Sequence, residues 1–112
     1  MHIHLGDLLA KIPGSISTKW PTGERFSQGF SHGTMSVELY APQGTDSQTP
    51  HTQDELYFVM QGKAILTIEG IAHDCTAGSV HFVPAGVPHQ FTEFSLDFAT
   101  WVVFWGLEGG EG

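Results

Sequence analysis

The feature that most constrains the fold is a succession of short segments, apolar or alternating, separated by glycine and proline. Between residues 34 and 105 the chain runs through TMSVELYA, ELYFVMQ, AILTIE, SVHFVP, HQFTEF and ATWVVFW. Short runs with such boundaries are typical of β-strands. Many short strands with frequent turns predict an all-β barrel or sandwich.

Length and turn signals predict one domain over residues 1–112. Its core is predicted to span residues 34–106, and residues 107–112 form a glycine-rich tail that we expect to be mobile. Residues 1–33 are predicted to form a short N-terminal helix and edge strands. Asp7 is the predicted helix cap, and Pro13 with Gly14 ends the helix.

The charge balance narrows the class of partner. Twelve acidic residues face four basic ones, giving a net charge of −8. Neither nucleic acid nor an anionic membrane surface attracts such a chain, so we expect neither as a partner. A single cysteine, Cys75, excludes an internal disulfide and suits a reducing compartment. We recognise no secretory signal, and no apolar run is long enough to span a bilayer. We therefore expect a cytoplasmic protein that acts on a small molecule.

The first candidate site lies in TPHTQDELYFVMQG, where His51 and Glu55 precede an apolar run. On a straight strand four residues span roughly 13 Å, whereas two ligands of one metal need donor atoms within about 4 Å of each other. The chain must therefore bend over residues 52–54 if both side chains bind one ion. A helix would place them one turn apart, but residues 56–60 are apolar throughout and leave no polar face.

The second candidate site lies in GSVHFVPAGVPHQF, residues 78–91. Pro84 and Gly86 predict a tight turn between two strands, and His89 begins the second of them. The stretch therefore predicts a second hairpin that presents a histidine at the start of a strand.

Together the two stretches resemble the two sequence motifs of the cupin superfamily. His51, Glu55 and Gly62 occupy the second-histidine, glutamate and glycine positions of the first motif, and Thr49 stands where its first histidine is expected. The second motif is matched in register by Gly78, Pro84, Gly86 and His89. A glutamate stands in place of the final asparagine of that motif. The resemblance covers residues 34–106 and implies an antiparallel jelly-roll β-barrel.

The resemblance also implies a metal site whose ligands are His51, Glu55 and His89. Two histidines and one carboxylate suit Fe(II), and are compatible with Mn, Ni or Zn. Gln53 shares strand parity with His51 and Glu55 and is a possible weak fourth ligand, although a turn residue is the alternative. A barrel that has lost its metal is the competing interpretation, for which Thr49 is the main argument.

Three further residues are predicted to line a pocket beside the metal: Thr49, Tyr57 and Phe91. Tyr57 and Phe91 follow Glu55 and His89 with the same strand parity, so they are expected to point into the barrel. An apolar, aromatic pocket with a few polar groups is typical of small-ligand sites. Plain core packing is the alternative role for both rings.

Two classes of function fit these features. One is a small metalloenzyme, an oxygenase or an isomerase, that acts on a small organic substrate. The other is a non-catalytic module that binds or senses a small ligand, with or without metal. ATWVVFW is apolar on both faces, so its outer face needs cover from the N-terminal helix or from a second chain, and we expect a homodimer.

Overall fold

The computed structural model describes residues 1–111, and Gly112 lies outside the described residues. The chain forms one short helix and eight strands: α1 (Leu5–Leu9), β1 (Phe26–His32), β2 (Met35–Tyr40), β3 (Asp54–Gln61), β4 (Lys63–Ile68), β5 (Ile71–Thr76), β6 (Val80–Val83), β7 (His89–Thr92) and β8 (Ala99–Trp105). The predicted all-β architecture with a short N-terminal helix is confirmed.

The strands form two antiparallel sheets. The larger has the order β1-β2-β8-β3-β6, and the smaller has the order β5-β4-β7. Their inner faces supply one buried cluster, with Tyr57, Val59 and Val102 from the larger sheet and Leu66 and Phe91 from the smaller. This arrangement confirms the β-barrel that the resemblance implied.

One predicted hairpin, over residues 78–91, and one further short connection between successive strands do not form hairpins. β3 and β4 are joined only by Gly62, yet β4 pairs with β5 and β7. β6 and β7 flank the Pro84–Gly86 turn, yet β6 pairs with β3 and β7 pairs with β4. In both places the chain crosses from one sheet to the other, because inward side chains of successive strands pack face to face across the core instead of side by side. The turn at Pro84 and Gly86 was predicted correctly, and the predicted pairing of its two flanking strands was wrong.

Two local features differ from the sequence-based prediction. β5 was not predicted, since Cys75 is its one buried residue and no alternation of apolar side chains marks the strand. The helix begins at Leu5 and its cap is His4, whose Nδ1 accepts a hydrogen bond from the Gly6 amide at 3.0 Å. Asp7, the predicted cap, lies in the first turn instead. No helix of residues 1–111 has the length and apolarity to cross a membrane.

The helix covers part of the outer face of the larger sheet. Leu8 packs with Leu39, Ala41 and Ala99 in a second buried cluster, with Trp101 at its margin. The helix therefore supplies cover for one end of β2 and β8, which is one of the two alternatives that the apolar pattern of β8 left open.

The C-terminal segment is hydrogen-bonded to the barrel as far as Glu111. The Gly109 amide donates to the Thr52 carbonyl at 2.7 Å, and the Glu111 amide donates to Asp54 Oδ2 at 3.0 Å. The Trp105 indole N–H donates to the Glu111 carboxylate at 3.0 Å. The glycine content of residues 107–112 predicted a mobile tail and gave no sign of these hydrogen bonds. The last residue of the tail, Gly112, lies outside the described residues.

The crossing at Gly62 gives a test of the fold. Gly62 has a φ of +73°, and a Cβ there would lie 2.7 Å from the Phe98 Cα. Gly62→Ala should lower the free energy of unfolding by on the order of 3 kcal/mol, because both the backbone strain and the overlap must be relieved. Gly70 has a φ of +80° with nothing within 4 Å of a Cβ, so Gly70→Ala should cost about 1 kcal/mol. Equal costs in urea denaturation would contradict this account of the crossing.

Candidate functional site

Hydrogen bonds join the two motif-bearing stretches at one end of the barrel. The Gly86 amide donates to the His51 carbonyl at 2.7 Å, and the Ala85 amide donates to Asp54 Oδ1 at 2.9 Å. Backbone N–H groups of Glu111 and Ala85 hold the pKa of Asp54 below its usual value. The bend before β3 and the turn before β7 are thereby fixed against each other.

This junction brings Glu55 of β3 into contact with His89 of β7. His89 Nε2 lies 2.9 Å from Glu55 Oε1, and the two side chains are 1% and 2% exposed. His89 Nδ1 lies 2.8 Å from the Val87 carbonyl oxygen. A carbonyl only accepts, so Nδ1 carries a proton and donates it. Nε2 is thereby the nitrogen that faces the carboxylate.

The surroundings of His89 favour its protonated form. Burial lowers the pKa of His89, but the hydrogen bonds to Glu55 and to the Val87 carbonyl, together with the negative charge of Glu55, outweigh burial and raise that pKa above its usual value. The favoured state is an imidazolium paired with a carboxylate, which satisfies two buried groups that would each be costly alone.

A hydrogen-bond network continues from this pair into the barrel. The Tyr57 hydroxyl lies 3.1 Å from His89 Nε2 and donates to Gln48 Oε1 at 3.1 Å. Burial and the negative charge of Glu55 raise the pKa of Tyr57 well above its usual value. Tyr57 also packs edge-on against Phe91, with ring centroids 4.9 Å apart. Both rings point inward and are fully buried in the core cluster.

Asp46 organises the loop that precedes the first motif. Its Oδ2 accepts hydrogen bonds from the Phe91 amide at 2.7 Å and from Gln48 Nε2 at 2.9 Å, and its Oδ1 accepts one from the Tyr40 hydroxyl. This buried carboxylate therefore sets the position of Gln48, which in turn bonds Tyr57.

His51 lies on the wall of a neighbouring cavity and outside the Glu55–His89 contact. Its ring stacks on Phe104 with centroids 3.9 Å apart. Its Nδ1 accepts a hydrogen bond from the Gln53 amide at 3.1 Å, so the neutral ring carries its proton on Nε2. The chain bends at residues 52–53, and the predicted bend over residues 52–54 is the one that metal binding by both His51 and Glu55 would need.

Gln53 holds this bend in place. Its side-chain amide donates to the backbone carbonyls of Thr34 at 2.8 Å and Gly106 at 3.0 Å. These contacts correspond to the turn role that was the alternative to a weak ligand. Within residues 1–111, no three His, Cys, Asp or Glu side chains converge closely enough to hold a metal ion. The structure brings together two of the three predicted ligands.

The cavity beside His51 has a volume of about 220 Å³. Its lining includes Glu55, the exposed Thr49, and a carboxylate that the sequence analysis missed, Glu38 of β2. Burial, and then the negative charge of Glu55, raise the pKa of Glu38 from 4.5 to about 7. His89 faces a different, more open cleft, and Gln48 borders both spaces.

Strand parity could have identified Glu38. Met35, Val37 and Leu39 share the outer face of β2, so Glu38 and Tyr40 must face inward. Asp46 and Gln48 carried no comparable signal, since they lie in a loop without strand periodicity.

The fold and the buried carboxylate–histidine pair define a small antiparallel β-barrel with a polar pair in its interior, and comparison with known proteins identifies its family. Residues 36–104 match the cupin domain, so the chain belongs to the cupin family. An uncharacterized protein of Streptomyces coelicolor is 50% identical over 81 residues, which cover 70% of this chain and 77% of that protein.

Two further similarities are more distant. The HTH-type transcriptional regulator PuuR of Escherichia coli is 32% identical over 62 residues, covering 54% of this chain and 34% of the regulator. The crystal structure of a Cupin 2 conserved barrel domain protein from Salinispora arenicola superposes with a TM-score of 0.61 at 22% identity, covering 72% of this chain and 74% of that one. The latter similarity supports the fold.

Glu38 gives a prediction with a defined sign. Its pKa is raised to about 7 in the folded chain, so the protonated form contributes stability that is lost as the pH rises from about 4.5 to 7. Glu38→Gln keeps a neutral group at every pH and should raise the free energy of unfolding at pH 8 by about 1–3 kcal/mol, measured in the presence of a chelator.

The matched control is Glu108→Gln, which makes the same change of charge at an exposed residue. It should leave the stability within about 0.5 kcal/mol of the wild type. A Glu38→Gln variant that is less stable than the wild type at pH 8 would show that the ionised carboxylate has a stabilising partner.

Proposed function

We propose that this cupin binds a small organic molecule in its barrel, next to a divalent metal held by Glu55 and His89 with His51 as the third ligand. The observation that carries the proposal is the buried contact of 2.9 Å between Glu55 Oε1 and His89 Nε2. Two atoms of the donor types that transition metals prefer are thus already in direct contact with each other.

The chemistry of His89 fits a ligand. Metal-bound histidines typically donate their other ring N–H to a carbonyl or carboxylate, which fixes the ring and its tautomer. The Val87 carbonyl supplies that acceptor. Loss of the Nε2 proton leaves the Nε2 lone pair free beside the Glu55 carboxylate, so a cation would replace the proton in this contact.

His51 fits less directly. Coordination through Nε2 requires the ring proton on Nδ1, which now accepts the Gln53 N–H. That hydrogen bond must be given up, at a cost of about 1 kcal/mol. Three protein ligands would leave positions open for substrate or water, and Fe(II), Mn, Ni or Zn suits two histidines and a carboxylate.

Catalysis is one use of such a site. A bound metal would polarise a substrate oxygen as a Lewis acid. Around it, the Tyr57 hydroxyl lies within hydrogen-bond distance of His89, and the Glu38 carboxyl, with its pKa raised to about 7, faces the cavity where it could take up or release a proton. An oxygenase or an isomerase acting on a small substrate is the class that this arrangement supports.

Ligand sensing without catalysis is the second candidate. The similarity to part of a transcriptional regulator favours it. It is also favoured by the hydrogen bond from the Gln53 amide to the His51 ring, which must be broken before His51 can bind a metal through Nε2. The two candidates share the cavity and differ in whether the bound molecule is converted.

Ligand substitution tests the metal proposal. His89→Ala and Glu55→Gln should each weaken Zn(II) or Mn(II) binding about 100-fold in competition with a chelator, since each removes one of two prearranged donors. His51→Ala should have a smaller effect, about tenfold, because its hydrogen bond to Gln53 must first be broken. Metal affinity should rise with pH through the raised pKa of His89, because the ion displaces the Nε2 proton.

His81→Ala is the matched control, since its ring bonds the Ser79 hydroxyl and His81 is not one of the three predicted ligands. It should bind metal like the wild type. Wild-type affinity in both the His89→Ala and Glu55→Gln variants would refute the site.

A homodimer through the larger sheet is proposed as the assembled form. On its outer face, Phe58, Met60, Val80 and Phe82 are 37–54% exposed, and the Trp105 ring lies 6.1 Å from that of Phe82. A patch of this kind is unusual on a monomer. A chain of net charge −8 repels its own copies except through an uncharged face. A second copy is therefore the occupant that suits this surface.

Phe82→Glu should convert this dimer to a monomer in sedimentation at micromolar concentration, because the two-fold axis places the new charge in the interface twice. Leu96→Glu adds the same charge at a residue that is 88% exposed outside the strands, and it should remain dimeric. A wild-type protein that sediments as a monomer would contradict the proposed assembly.

A further inference from the structure

The cavity beside His51 is lined by aromatic rings, two carboxyl groups and one ammonium. The carboxyl groups belong to Glu38 and Glu55, the ammonium to Lys19, and the rings include Trp20, Phe26 and Phe104. Its volume of about 220 Å³ lies below the roughly 300 Å³ at which pockets for drug-sized ligands begin. The bound molecule must therefore be small, and the charged and aromatic side chains that line the cavity determine which charge it can carry.

Glu38 is the group that lacks a counterion. No hydrogen bond or ion pair reaches its carboxylate from residues 1–111, whereas Glu55 is paired with His89. Burial and the nearby Glu55 both disfavour the ionised form of Glu38, so its pKa rises. A cation placed beside Glu38 would offset both effects, while an anion would add to them.

The aromatic wall favours the same sign of charge. Ring faces attract cations, most strongly the indole of tryptophan. The exposed Lys19 ammonium already lies 5.8 Å from the centre of the Trp20 ring. Trp20 also packs edge-on against Phe26 with centroids 5.7 Å apart, which holds the indole in place at the cavity wall.

We propose that this cavity selects a small organic cation, a primary or quaternary ammonium, whose charged head lies between Glu38 and the Trp20 and Phe26 rings. The proposal names the ligand class of the small-molecule function proposed above and rests on it, and it applies to the metal-free chain, in which it is tested, because a divalent ion on Glu55 would offset the negative charge at the cavity wall. The competing ligand is a small carboxylate paired with Lys19. It is disfavoured because Lys19 is exposed to water while two carboxylates face the interior.

Three molecules of nearly the same shape test the charge preference. Choline, 3,3-dimethylbutan-1-ol and 3,3-dimethylbutanoate are cationic, neutral and anionic versions of one branched skeleton. Their binding to the 112-residue chain is measured by chemical-shift titration, with the indole N–H of Trp20 as the reporter. Choline should bind at least about tenfold more tightly than the alcohol, and the carboxylate more weakly than either.

Glu38→Gln should reduce the preference for choline over the alcohol to less than about threefold, because the counterion is lost while the aromatic wall remains. Glu108→Gln makes the same change in net charge at an exposed residue and should keep the wild-type preference. Retention of the full preference in Glu38→Gln would overturn the assignment.

The other outcomes separate this inference from the proposed function. Equal binding of the alcohol and choline, or tighter binding of the carboxylate, would overturn the cation preference and leave small-molecule binding in place. No shift of the Trp20 signal with any of the three molecules at millimolar concentration would contradict both.

Discussion

The buried contact between Glu55 and His89 is the interaction on which the arrangement of the site depends. Glu55 belongs to the larger sheet and His89 to the smaller, so the pair joins the two halves of the barrel. Either group alone would be a charge in a nearly dry interior, and removal of one partner from such a pair is strongly destabilising. Hydrogen bonds also fix the backbone around the pair. The Val87 carbonyl accepts a hydrogen bond from His89 Nδ1, and the turn before β7 donates a hydrogen bond to the His51 carbonyl.

The interior on either side of this pair has two different characters. On one side, Tyr57, Phe91 and Phe98 pack ring against ring in the core. On the other, a cavity remains open over the inner faces of β2 and β8, and Glu38 and His51 line it. Gln48 connects the two sides, since it borders the cavity and accepts the Tyr57 hydroxyl. A molecule in the cavity would therefore lie one hydrogen bond away from the groups that contact His89.

Local chemistry accounts for the parts of the fold that were predicted. Alternation marked β2, and the glycine and proline turns marked the ends of β3 and β6, because these signals depend on residues adjacent in sequence. The crossings between sheets were not predictable in this way, since pairing depends on contacts between distant residues. β5 was not predicted, because its side chains are mostly exposed and show no apolar alternation. In the candidate site, the resemblance to the two cupin motifs singled out Glu55 and His89, which lie in contact. The engagement of His51 with the Gln53 amide depends on the detailed geometry of the bend, which spacing does not specify.

The most direct test of the central claim is long-range ¹H–¹⁵N spectroscopy of the histidine side chains before and after addition of one equivalent of Zn(II). In the metal-free protein, His89 should carry protons on both ring nitrogens at neutral pH, because Glu55 and Val87 accept from them. On addition of Zn(II), Nε2 should lose its proton and shift to a metal-bound value while Nδ1 keeps its proton. His89 signals that do not change on addition of Zn(II), or a neutral ring with its only proton on Nε2, would contradict the account.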